Sequence, residues 1–555
     1  MVKQELKMTK KLTILLFLLG IFLFPHSTIA QDSLRLLATI RGEADWDDFT
    51  HCASAGDLNA DGFMDIIVGA PGGEGGKGYV KIYFGSSDFD TIPEFRIVDE
   101  GNFGASVACA GDVNKDGYDD IIIGANSAYN PNNGAEWAGK AHIYFGGNPM
   151  DTVVDVILQD SDYHYFYGTS VASAGDINGD NYDDVMVAAP SGWDPAGRVF
   201  IYLGGEDMDS VFDVYIYGRS VSVEELGRSL TGIGDINCDN YDDILIGSPY
   251  MGLPKAQGKA EIYLGGNPMD TISDLAFYGD SITYGHSGRV VASAGDVNGD
   301  GILDILVSRG AGGWDLKLLR SKLPCGDLTF DTFYLWEEPI SPTAFGLTLS
   351  TAGDLNKDGF DDIIIGDYQA GKGLKGKVHI FFGGSEMDSL ADITLTGDDQ
   401  EDEKFGVNVA YIGDINSNNY DEISVSSYYN SSLVGKVFIF TSYTTLVNEQ
   451  SNEHKMKYFN LSQNYPNPFN STTTIPYAVY RKQSTVNRPL HTTLCVYNIL
   501  GQKVKILVDK MKTDGFHQAI WDGKDQAGNE VSSGVYFYRL EAGEFTQTRK
   551  MLFIK

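Results

Sequence analysis

The sequence predicts an all-β chain, in which a seven-bladed β-propeller is followed by a small C-terminal β-sandwich. A nine-residue acidic segment recurs seven times, and successive copies start 55 to 64 residues apart. Short apolar segments with the alternating or continuous pattern of β-strands surround each copy. A repeat of this length without helical periodicity is typical of proteins built from four-stranded sheets.

The first 30 residues have the pattern of a secretory signal peptide. Four lysines precede the apolar segment "LTILLFLLGIFLF" (12–24), and the small residues of "STIA" (27–30) follow it. The apolar segment is 13 residues long, which is shorter than the ~18 residues that a membrane span requires. We therefore expect residues 1–30 to be removed, and we expect no membrane span in the mature chain.

The predicted propeller is strongly acidic. Residues 31–460 carry 68 Asp and Glu residues against 25 Lys and Arg residues, a net charge of −43. Such a surface repels nucleic acid and anionic lipid and attracts cations. Twenty of the acids lie at the first, fifth and ninth positions of the seven repeated segments, whereas acids that serve only solubility would be scattered. We therefore expect no nucleic-acid partner and a role for the acids in cation binding.

Each repeat predicts four antiparallel strands. In the second repeat, "FGASVACAGD" (103–112) alternates small and aliphatic residues, and "DIIIGA" (120–125) is a continuous apolar run. A third strand follows a glycine-rich turn, as in "KAHIYFGG" (140–147), and a fourth ends the unit, as in "ADITLTGDD" (391–399) of the sixth repeat. Four short strands per unit are typical of a propeller blade.

The two ends of the repeat array predict that the ring closes. The seventh repeat ends at its third strand, "GKVFIFTS" (435–442), and lacks a fourth. The segment "LRLLATIRGE" (34–43) resembles a fourth strand with no unit in front of it. If it completes the seventh sheet, no long strand edge remains exposed. We therefore assign residues 31–445 to the propeller and residues 446–460 to a linker.

The acidic segments have the composition of calcium-binding loops. We number the nine positions from the first aspartate. Calcium takes six to eight oxygen ligands on a tightly turned loop. Positions 1, 3, 5 and 9 supply side-chain oxygens, and position 7 would supply its backbone carbonyl. Position 6, where the chain must turn with positive φ, is always Gly or Asn, the residues that tolerate that conformation best. Acidic turns without a cation are the alternative interpretation.

The predicted ligands share these positions in all seven loops. They are Asp57, Asn59, Asp61, Phe63 and Asp65; Asp112, Asn114, Asp116, Tyr118 and Asp120; Asp176, Asn178, Asp180, Tyr182 and Asp184; Asp235, Asn237, Asp239, Tyr241 and Asp243; Asp296, Asn298, Asp300, Ile302 and Asp304; Asp354, Asn356, Asp358, Phe360 and Asp362; and Asp414, Asn416, Asn418, Tyr420 and Glu422. The seventh loop departs from the pattern, since it has Asn at position 5 and Glu at position 9.

Two dipeptide motifs add a family resemblance. "FG" occurs before an acidic loop at 103–104, 345–346 and 405–406, and "GAP" occurs intact after one at 69–71. Together they resemble the FG-GAP repeat of integrin α-subunit propellers. In those propellers the matching loops hold calcium, so the resemblance implies calcium at six loops. The seventh loop is the one for which this implication is weakest.

The candidates for catalysis are few. His142 and His379 fall on the third-strand position that Lys81, Phe200 and Glu261 occupy in other repeats, and we interpret so variable a position as outward-facing. The motifs GxSxG and HExxH do not occur. We therefore expect a non-enzymatic protein that binds an extracellular protein or glycan. The alternative is a secreted polysaccharide- or ester-cleaving enzyme that uses the propeller as its scaffold.

Residues 461–555 form a second module. Segments such as "NYPNPFNSTTTIPY" (464–477) and "VYNILGQKVKIL" (496–507) alternate strand residues with Gly, Asn and Asp turns, which predicts a small β-sandwich. The module resembles the type A C-terminal sorting domain of the type IX secretion system. That resemblance implies export by the secretion machinery of a Gram-negative bacterium, through the periplasm, to the medium or the outer cell surface. The alternative is a carbohydrate-binding sandwich with Trp521 as its aromatic platform.

Overall fold

The computed structural model describes residues 33–443 and 459–554, except for short gaps. The gaps are 45, 74–76, 130–136, 161–165, 192–195, 219–223, 252–256, 280–285, 309–315, 322–327, 336–343, 372, 385–386, 388, 398–402, 429–433, 462–463, 465–468, 480–489, 513–514 and 543–544. The proposed signal peptide and most of the proposed linker lie outside the described residues. Every regular element in the described chain is a β-strand, which confirms the all-β prediction. Among these residues no helix is long and apolar enough to cross a membrane.

Strands in the described part of residues 33–443 form seven antiparallel sheets of four strands each. The first strand of the chain, β1 (Ser33–Arg41), belongs to the last sheet. The first sheet contains β2 (His51–Gly56), β3 (Asp65–Ala70), β4 (Lys77–Tyr83) and β5 (Phe95–Glu100); the second contains β6 (Phe103–Gly111), β7 (Asp120–Ala125), β8 (Lys140–Tyr144) and β9 (Val156–Leu158); the third contains β10 (Ser170–Gly175), β11 (Asp184–Ala189), β12 (Arg198–Tyr202) and β13 (Val214–Tyr217).

The remaining sheets repeat this order. The fourth contains β14 (Ser229–Gly234), β15 (Asp243–Ser248), β16 (Lys259–Tyr263) and β17 (Leu275–Tyr278); the fifth contains β18 (Val291–Gly295), β19 (Asp304–Val307), β20 (Leu316–Ser321) and β21 (Phe330–Leu335); the sixth contains β22 (Thr348–Gly353), β23 (Asp362–Asp367), β24 (Lys377–Phe381) and β25 (Ile393–Thr396); the last contains β26 (Asn408–Gly413), β27 (Glu422–Tyr428) and β28 (Gly435–Tyr443), with β1 outermost. Repeated four-stranded sheets of this kind are consistent with a propeller.

The second strand of each sheet is covered by neighbours on both of its faces. In β7 all six residues are buried. Because successive side chains of a strand point to opposite faces, Ile121 and Ile123 pack toward the first sheet, and Ile122 packs toward the third. Burying one such side chain contributes about 1.5–3 kcal/mol. The continuous apolar run in the sequence is therefore the signature of a sheet that lies between two others.

The contacts between sheets continue around the whole array. The first strand of each sheet contacts the first strand of the next, and β26 of the last sheet contacts β2 of the first. Seven apolar clusters follow the same cycle, because each combines side chains from two neighbouring sheets. In the cluster between the last sheet and the first, Ile439 packs with Ile66 and Val68. The core is thus divided among seven intersheet layers.

The N-terminal strand joins the last sheet through its third strand. β1 pairs antiparallel with β28, with Leu36 opposite Phe440 and Ile40 opposite Val437. Leu36 and Ile40 are buried, and they enter different intersheet clusters. A strand from one end of the array therefore completes the sheet at the other end.

The C-terminal module has two sheets. β29 (Phe459–Leu461), β30 (Thr473–Val479) and β33 (Gly515–Trp521) form the first; β31 (Leu490–Asn498), β32 (Lys503–Lys512), β34 (Gly534–Ala542) and β35 (Phe545–Phe553) form the second. β29 begins within the range assigned to the linker. One apolar cluster contains side chains of both sheets, among them Ile475, Trp521, Leu494 and Tyr538. Trp521 is fully buried, and its indole N–H donates to the Lys524 carbonyl at 2.9 Å. The alternative of an aromatic sugar platform at Trp521 is therefore wrong.

Removal of residues 31–45 is expected to destabilise the whole array. The deletion would expose the edge of β28 and remove the buried side chains of Leu36 and Ile40. We expect insoluble protein, or a monomer whose melting temperature is many degrees lower. Circular dichroism melting of the deletion variant against a control that lacks only residues 1–30 measures the effect. A soluble variant with unchanged melting temperature would show that β1 is dispensable.

Candidate functional site

The seven acidic loops lie at one end of the sheets. Each loop connects the first strand of a sheet to the second, and the first strands contact one another around the array. The loops are 57–65, 112–120, 176–184, 235–243, 296–304, 354–362 and 414–422. Every predicted ligand lies in the described part of the chain, and the structure places all seven sets on the same face of the array.

Within each loop the acidic side chains accept hydrogen bonds from the loop backbone. In the second loop, Asp112 Oδ1 accepts the N–H of Asp116 at 3.0 Å, and Asp112 Oδ2 accepts the N–H of Gly117 at 3.0 Å. Asn114 Oδ1 also accepts the Asp116 N–H, at 2.9 Å, and Asp116 Oδ1 accepts the Tyr118 N–H at 3.1 Å. The loop is therefore wound around the side chains at positions 1, 3 and 5.

The backbone turns at two positions of each loop. Position 6 has positive φ in all seven loops, as the sequence predicted, with values from 62° at Asn419 to 91° at Gly117. Position 4 is also left-handed, between 51° and 76°, although Ala, Lys, Cys and Ser occupy it in five of the loops. Residues other than Gly, Asn and Asp rarely adopt this conformation. The sequence contained no signal for this second turn.

The carboxylate at position 9 lies beneath the loop rather than beside it. Asp120 is fully buried; its Oδ2 accepts the Val113 N–H at 2.9 Å, and its Oδ1 accepts the Gly146 N–H at 2.8 Å. Burial raises the pKa of Asp120 to about 8, against the two hydrogen bonds that lower it. Burial raises the pKa of the position 9 side chain in four other loops of the same type and in the seventh, to about 7 or 8.

Position 8 contains a set of carboxylates that the sequence interpretation missed. Asp119 of the second loop accepts the N–H of Asp57 in the first loop at 2.7 Å, and its own N–H donates to the Asp57 carbonyl at 3.3 Å. The side-chain bond recurs between Asp183 and Asp112 at 2.8 Å. Asp242 and Asp361 bond in the same way to Asp176 and Asp296, at 2.9 and 2.8 Å. These carboxylates join neighbouring loops.

A glycine before each loop makes room for the position 8 side chain of the next sheet. Gly111 has a φ of +79°, and a Cβ at this position would overlap the carboxyl group of Asp183. The glycine of the "GD" pair at the start of every loop is therefore required for two reasons. Glycine tolerates the left-handed backbone, and it leaves space for the side chain from the next sheet.

A second hydrogen bond ties five of the loops to the next sheet. The carbonyl at position 2 accepts an N–H from the turn between the third and fourth strands of the following sheet, as in Gly147 to Leu58 at 2.7 Å and Gly205 to Val113 at 2.8 Å. The same bond links the last loop to the first sheet, where the Ser86 N–H donates to the Ile415 carbonyl at 2.9 Å. These bonds form a hydrogen-bonded belt on one face that links neighbouring loops and sheets.

The acidic side chains of the described loops are not gathered into a metal cluster. No group of three or more His, Cys, Asp or Glu side chains in the described ranges is placed to hold a metal ion. In the seventh loop, amide groups already contact the position 9 carboxylate, since Asn416 Nδ2 and Asn418 Nδ2 donate to Glu422 Oε1 at 2.8 and 3.3 Å. The seventh loop is therefore held together by neutral amides where the others have aspartate at position 5.

Comparison with known families identifies both parts of the chain. Residues 53–83, 103–144, 167–202 and 345–381 match the model of the FG-GAP repeat. Residues 463–555 match the model of the secretion system C-terminal sorting domain. The chain carries FG-GAP repeats and a sorting domain. Both resemblances that the sequence motifs indicated are thereby confirmed.

The FG-GAP repeats are also similar to integrin α subunits. Integrin alpha-5 of Xenopus laevis is 28% identical over 248 residues, which cover 42% of this chain and 23% of that integrin. Integrin alpha-7 of Homo sapiens is 31% identical over 201 residues, which cover 33% of this chain and 16% of that integrin. The aligned region thus spans less than a quarter of each of these relatives. Among solved structures, PorZ, a surface component of the type-IX secretion system of Porphyromonas gingivalis, aligns with 92% of this chain and 60% of its own at TM-score 0.33 and 11% identity.

The sorting domain determines where the protein goes. It indicates export through the type IX secretion system, to the outer cell surface or to the medium. This confirms the localisation that the sequence predicted, and it makes the secretion machinery a partner of the chain.

The third-strand position of the FG-GAP repeats is buried, and the interpretation of His142 and His379 as outward-facing is wrong. These two side chains are 2% and 3% exposed, because a sheet covered on both sides has no outward face. His142 Nε2 lies 3.1 Å from Asp99 of the first sheet. The position varies because each intersheet layer provides a different partner, as in the 3.1 Å ion pair between Lys81 and Glu43.

The face opposite the acidic loops carries exposed aromatic side chains. Trp46 lies between β1 and β2, and Tyr129 and Trp137 lie between β7 and β8; they are 58%, 50% and 54% exposed. Antiparallel order places these connections at the strand ends away from the acidic loops. Trp46 and Trp137 have φ values of 73° and 66°, a conformation that bulky residues adopt only when surrounding structure holds them there.

Replacing a position 8 carboxylate should weaken the contact between two sheets. Asp183→Ala would leave the Asp112 N–H without its acceptor, which costs about 1–3 kcal/mol. We expect a lower urea midpoint, with a smaller loss for Asp183→Asn because that side chain keeps an acceptor oxygen. The matched control is Leu303→Ala, since the fifth loop has leucine at position 8. Equal losses for Asp183→Ala and Asp183→Asn would contradict the bonding role.

Proposed function

We propose that the protein is a calcium-binding, seven-bladed FG-GAP propeller that acts as a non-enzymatic adhesion or ligand-binding protein on the cell surface or in the medium. The seven four-stranded sheets are its blades, and pairing of β1 with β28 closes the ring. The C-terminal module is a small β-sandwich that serves export. The cyclic order of intersheet contacts supports the ring, and the cluster shared by the two C-terminal sheets supports the sandwich.

Calcium fits the donor chemistry of six of the loops. In the second loop Asp112, Asn114, Asp116 and Asp120 would supply side-chain oxygens, and Tyr118 its carbonyl. Hard oxygen donors on a loop with two left-handed turns are the ligands that calcium prefers. The bound cation would neutralise carboxylates that otherwise repel one another, and it would hold position 9 in its charged form. The seventh loop is the least suited, because at position 5 it has the Asn418 amide, which contacts Glu422, where the other loops have an aspartate.

The observation that carries the binding function is the pair of exposed tryptophans on the face opposite the acidic loops. Their backbones are fixed: the Trp137 carbonyl accepts the Phe166 N–H at 3.0 Å, and Asp47, next to Trp46, accepts the Tyr79 hydroxyl at 2.6 Å. Large aromatic side chains on a fixed backbone lose little conformational entropy on binding and are common at interaction hot spots. An extracellular protein or glycan is the class of ligand that suits a surface-exported propeller.

Binding is favoured over the alternative of a polysaccharide- or ester-cleaving enzyme. Acid–base catalysis requires a titratable group within reach of a substrate. The imidazole and carboxylate of His142 and Asp99 are such a pair, but the imidazole is 2% exposed between two sheets. The pair is therefore suited to holding two sheets together.

Calcium should stabilise the propeller. We expect EDTA to lower the melting temperature of the mature chain by many degrees and calcium at about millimolar concentration to restore it, the range of extracellular modules. Calorimetric titration of Asp116→Ala should show one site fewer than the wild-type protein. The matched control is Asp151→Ala, an exposed aspartate of the same sheet outside the loop. Melting that is indifferent to EDTA, in protein shown to be metal-free, would reject the calcium sites.

The tryptophan face should bind the ligand. Screening the mature chain on an array of extracellular-matrix proteins and glycans identifies a ligand, and Trp46→Ser/Trp137→Ser should weaken its binding by about tenfold or more. Tyr334→Ser is the matched control, because Tyr334 is 41% exposed on the outer strand of the fifth sheet. Unchanged affinity in the double variant, with loss in the control, would place the ligand elsewhere on the array.

A further inference from the structure

The sorting domain presents two aliphatic side chains to solvent at one hairpin tip. Ile499 and Leu500 lie between β31 and β32, and they are 70% and 76% exposed. They are the two most exposed large hydrophobic side chains in the described part of the chain. Single exposed aliphatic residues are common, but two adjacent ones that protrude from a tip form a patch, and exposed apolar patches mark interaction sites.

Hydrogen bonds to Asn498 hold this tip in one conformation. Asn498 Oδ1 accepts the N–H groups of Leu500 and Gln502, both at 3.0 Å, and Asn498 Nδ2 donates to Gln502 Oε1 at 2.8 Å. The backbones of Asn498 and Gln502 pair at 3.0 Å, and the Gly501 N–H donates to the Asn498 carbonyl at 2.9 Å. Gly501 supplies the left-handed residue of the turn, with a φ of 74°. The exposed pair is therefore presented on a rigid turn, which lowers the entropy lost on binding.

The tip is not used by the fold of the sorting domain itself. Its apolar cluster contains Leu494 and Val496 from β31 and Val508 from β32, whereas Ile499 and Leu500 lie outside the cluster. One basic residue, Lys503, is exposed beside the tip, and the module as a whole is basic, since residues 461–555 carry 12 Lys and Arg residues against 7 Asp and Glu residues. A complementary surface would therefore have an apolar pocket with an acidic rim.

We propose that Ile499 and Leu500 are the docking tip by which the sorting domain is held in an apolar, acid-rimmed pocket of the type IX secretion machinery. This inference rests on the sorting assignment, since the hairpin lies within the matched region 463–555. The machinery must recognise the sorting domain from outside, so recognition uses side chains that the folded domain leaves exposed. The rigid tip, the two aliphatic side chains and the exposed Lys503 meet that requirement together.

The test is export of the full chain with the substitutions I499S/L500S. In the producing bacterium we expect the fraction of protein at the cell surface and in the medium to fall by about tenfold or more, with accumulation in the periplasm. Ile520→Ser is the matched control, because Ile520 of β33 is 66% exposed but lies within a strand, and its export should be unchanged. Circular dichroism melting of the purified chains should match the wild type, since these side chains are solvated in the folded state.

A chain that lacks residues 461–555 distinguishes a failure of the sorting assignment from a failure of the docking tip. Export of this truncated chain would reject the sorting assignment itself. Retention of the truncated chain with normal export of I499S/L500S would reject the docking tip alone. A wild-type dimer that I499S/L500S dissociates on size exclusion, with export unchanged, would assign the tip to a second copy and reject the machinery as its partner. If the double variant melts early, the single variants I499S and L500S are judged by the same outcomes.

Discussion

The structure depends on the burial of the second strand of every sheet on both of its faces. A strand such as "DIIIGA" has apolar side chains on both sides, so its sheet is stable only when a neighbour covers each side. All seven sheets are covered on both faces only when the first and the last sheet are also neighbours. The N-terminal strand β1 follows from this constraint, since it completes the last sheet and contributes buried side chains to two intersheet layers.

The carboxylates on the acidic face repel one another, and hydrogen bonds from backbone N–H groups offset part of this repulsion. Positions 1, 3 and 5 accept N–H groups of their own loop. Position 9 accepts one N–H of its own loop and one from the turn after the third strand, and position 8 accepts an N–H of the neighbouring loop. Desolvation still raises the pKa of Asp120, and of the position 9 side chain in five other loops, well above that of a solvated carboxyl. A cation supplies the remaining compensation in the function that we propose, and the belt of hydrogen bonds would transmit its effect from loop to loop.

The two faces of the array differ in how much their loops vary from one unit to the next. The acidic face repeats the same loop pattern in every unit, with the seventh loop departing at positions 5 and 9, as expected of a part that holds the units together. The opposite face carries connections of different length and composition, with tryptophans on left-handed backbone. Binding residues commonly lie on variable loops that a rigid scaffold positions. The sorting domain adds export as a separate function, and its exposed hairpin tip is part of neither face.

The sequence by itself determined the repeat, the strand order within each unit, the loop positions and the export module. These features are local, because they depend on alternation, on glycine or asparagine at position 6 and on the spacing of acids along the chain. Only the tertiary structure decided the role of Asp119 and Asp183, which bond to the preceding loop rather than to their own. The same holds for the burial of His142 and of Trp521. In each case the partner lies in another sheet or another strand. Such contacts form between residues that are far apart in the sequence, so they can be identified only once the chain is folded.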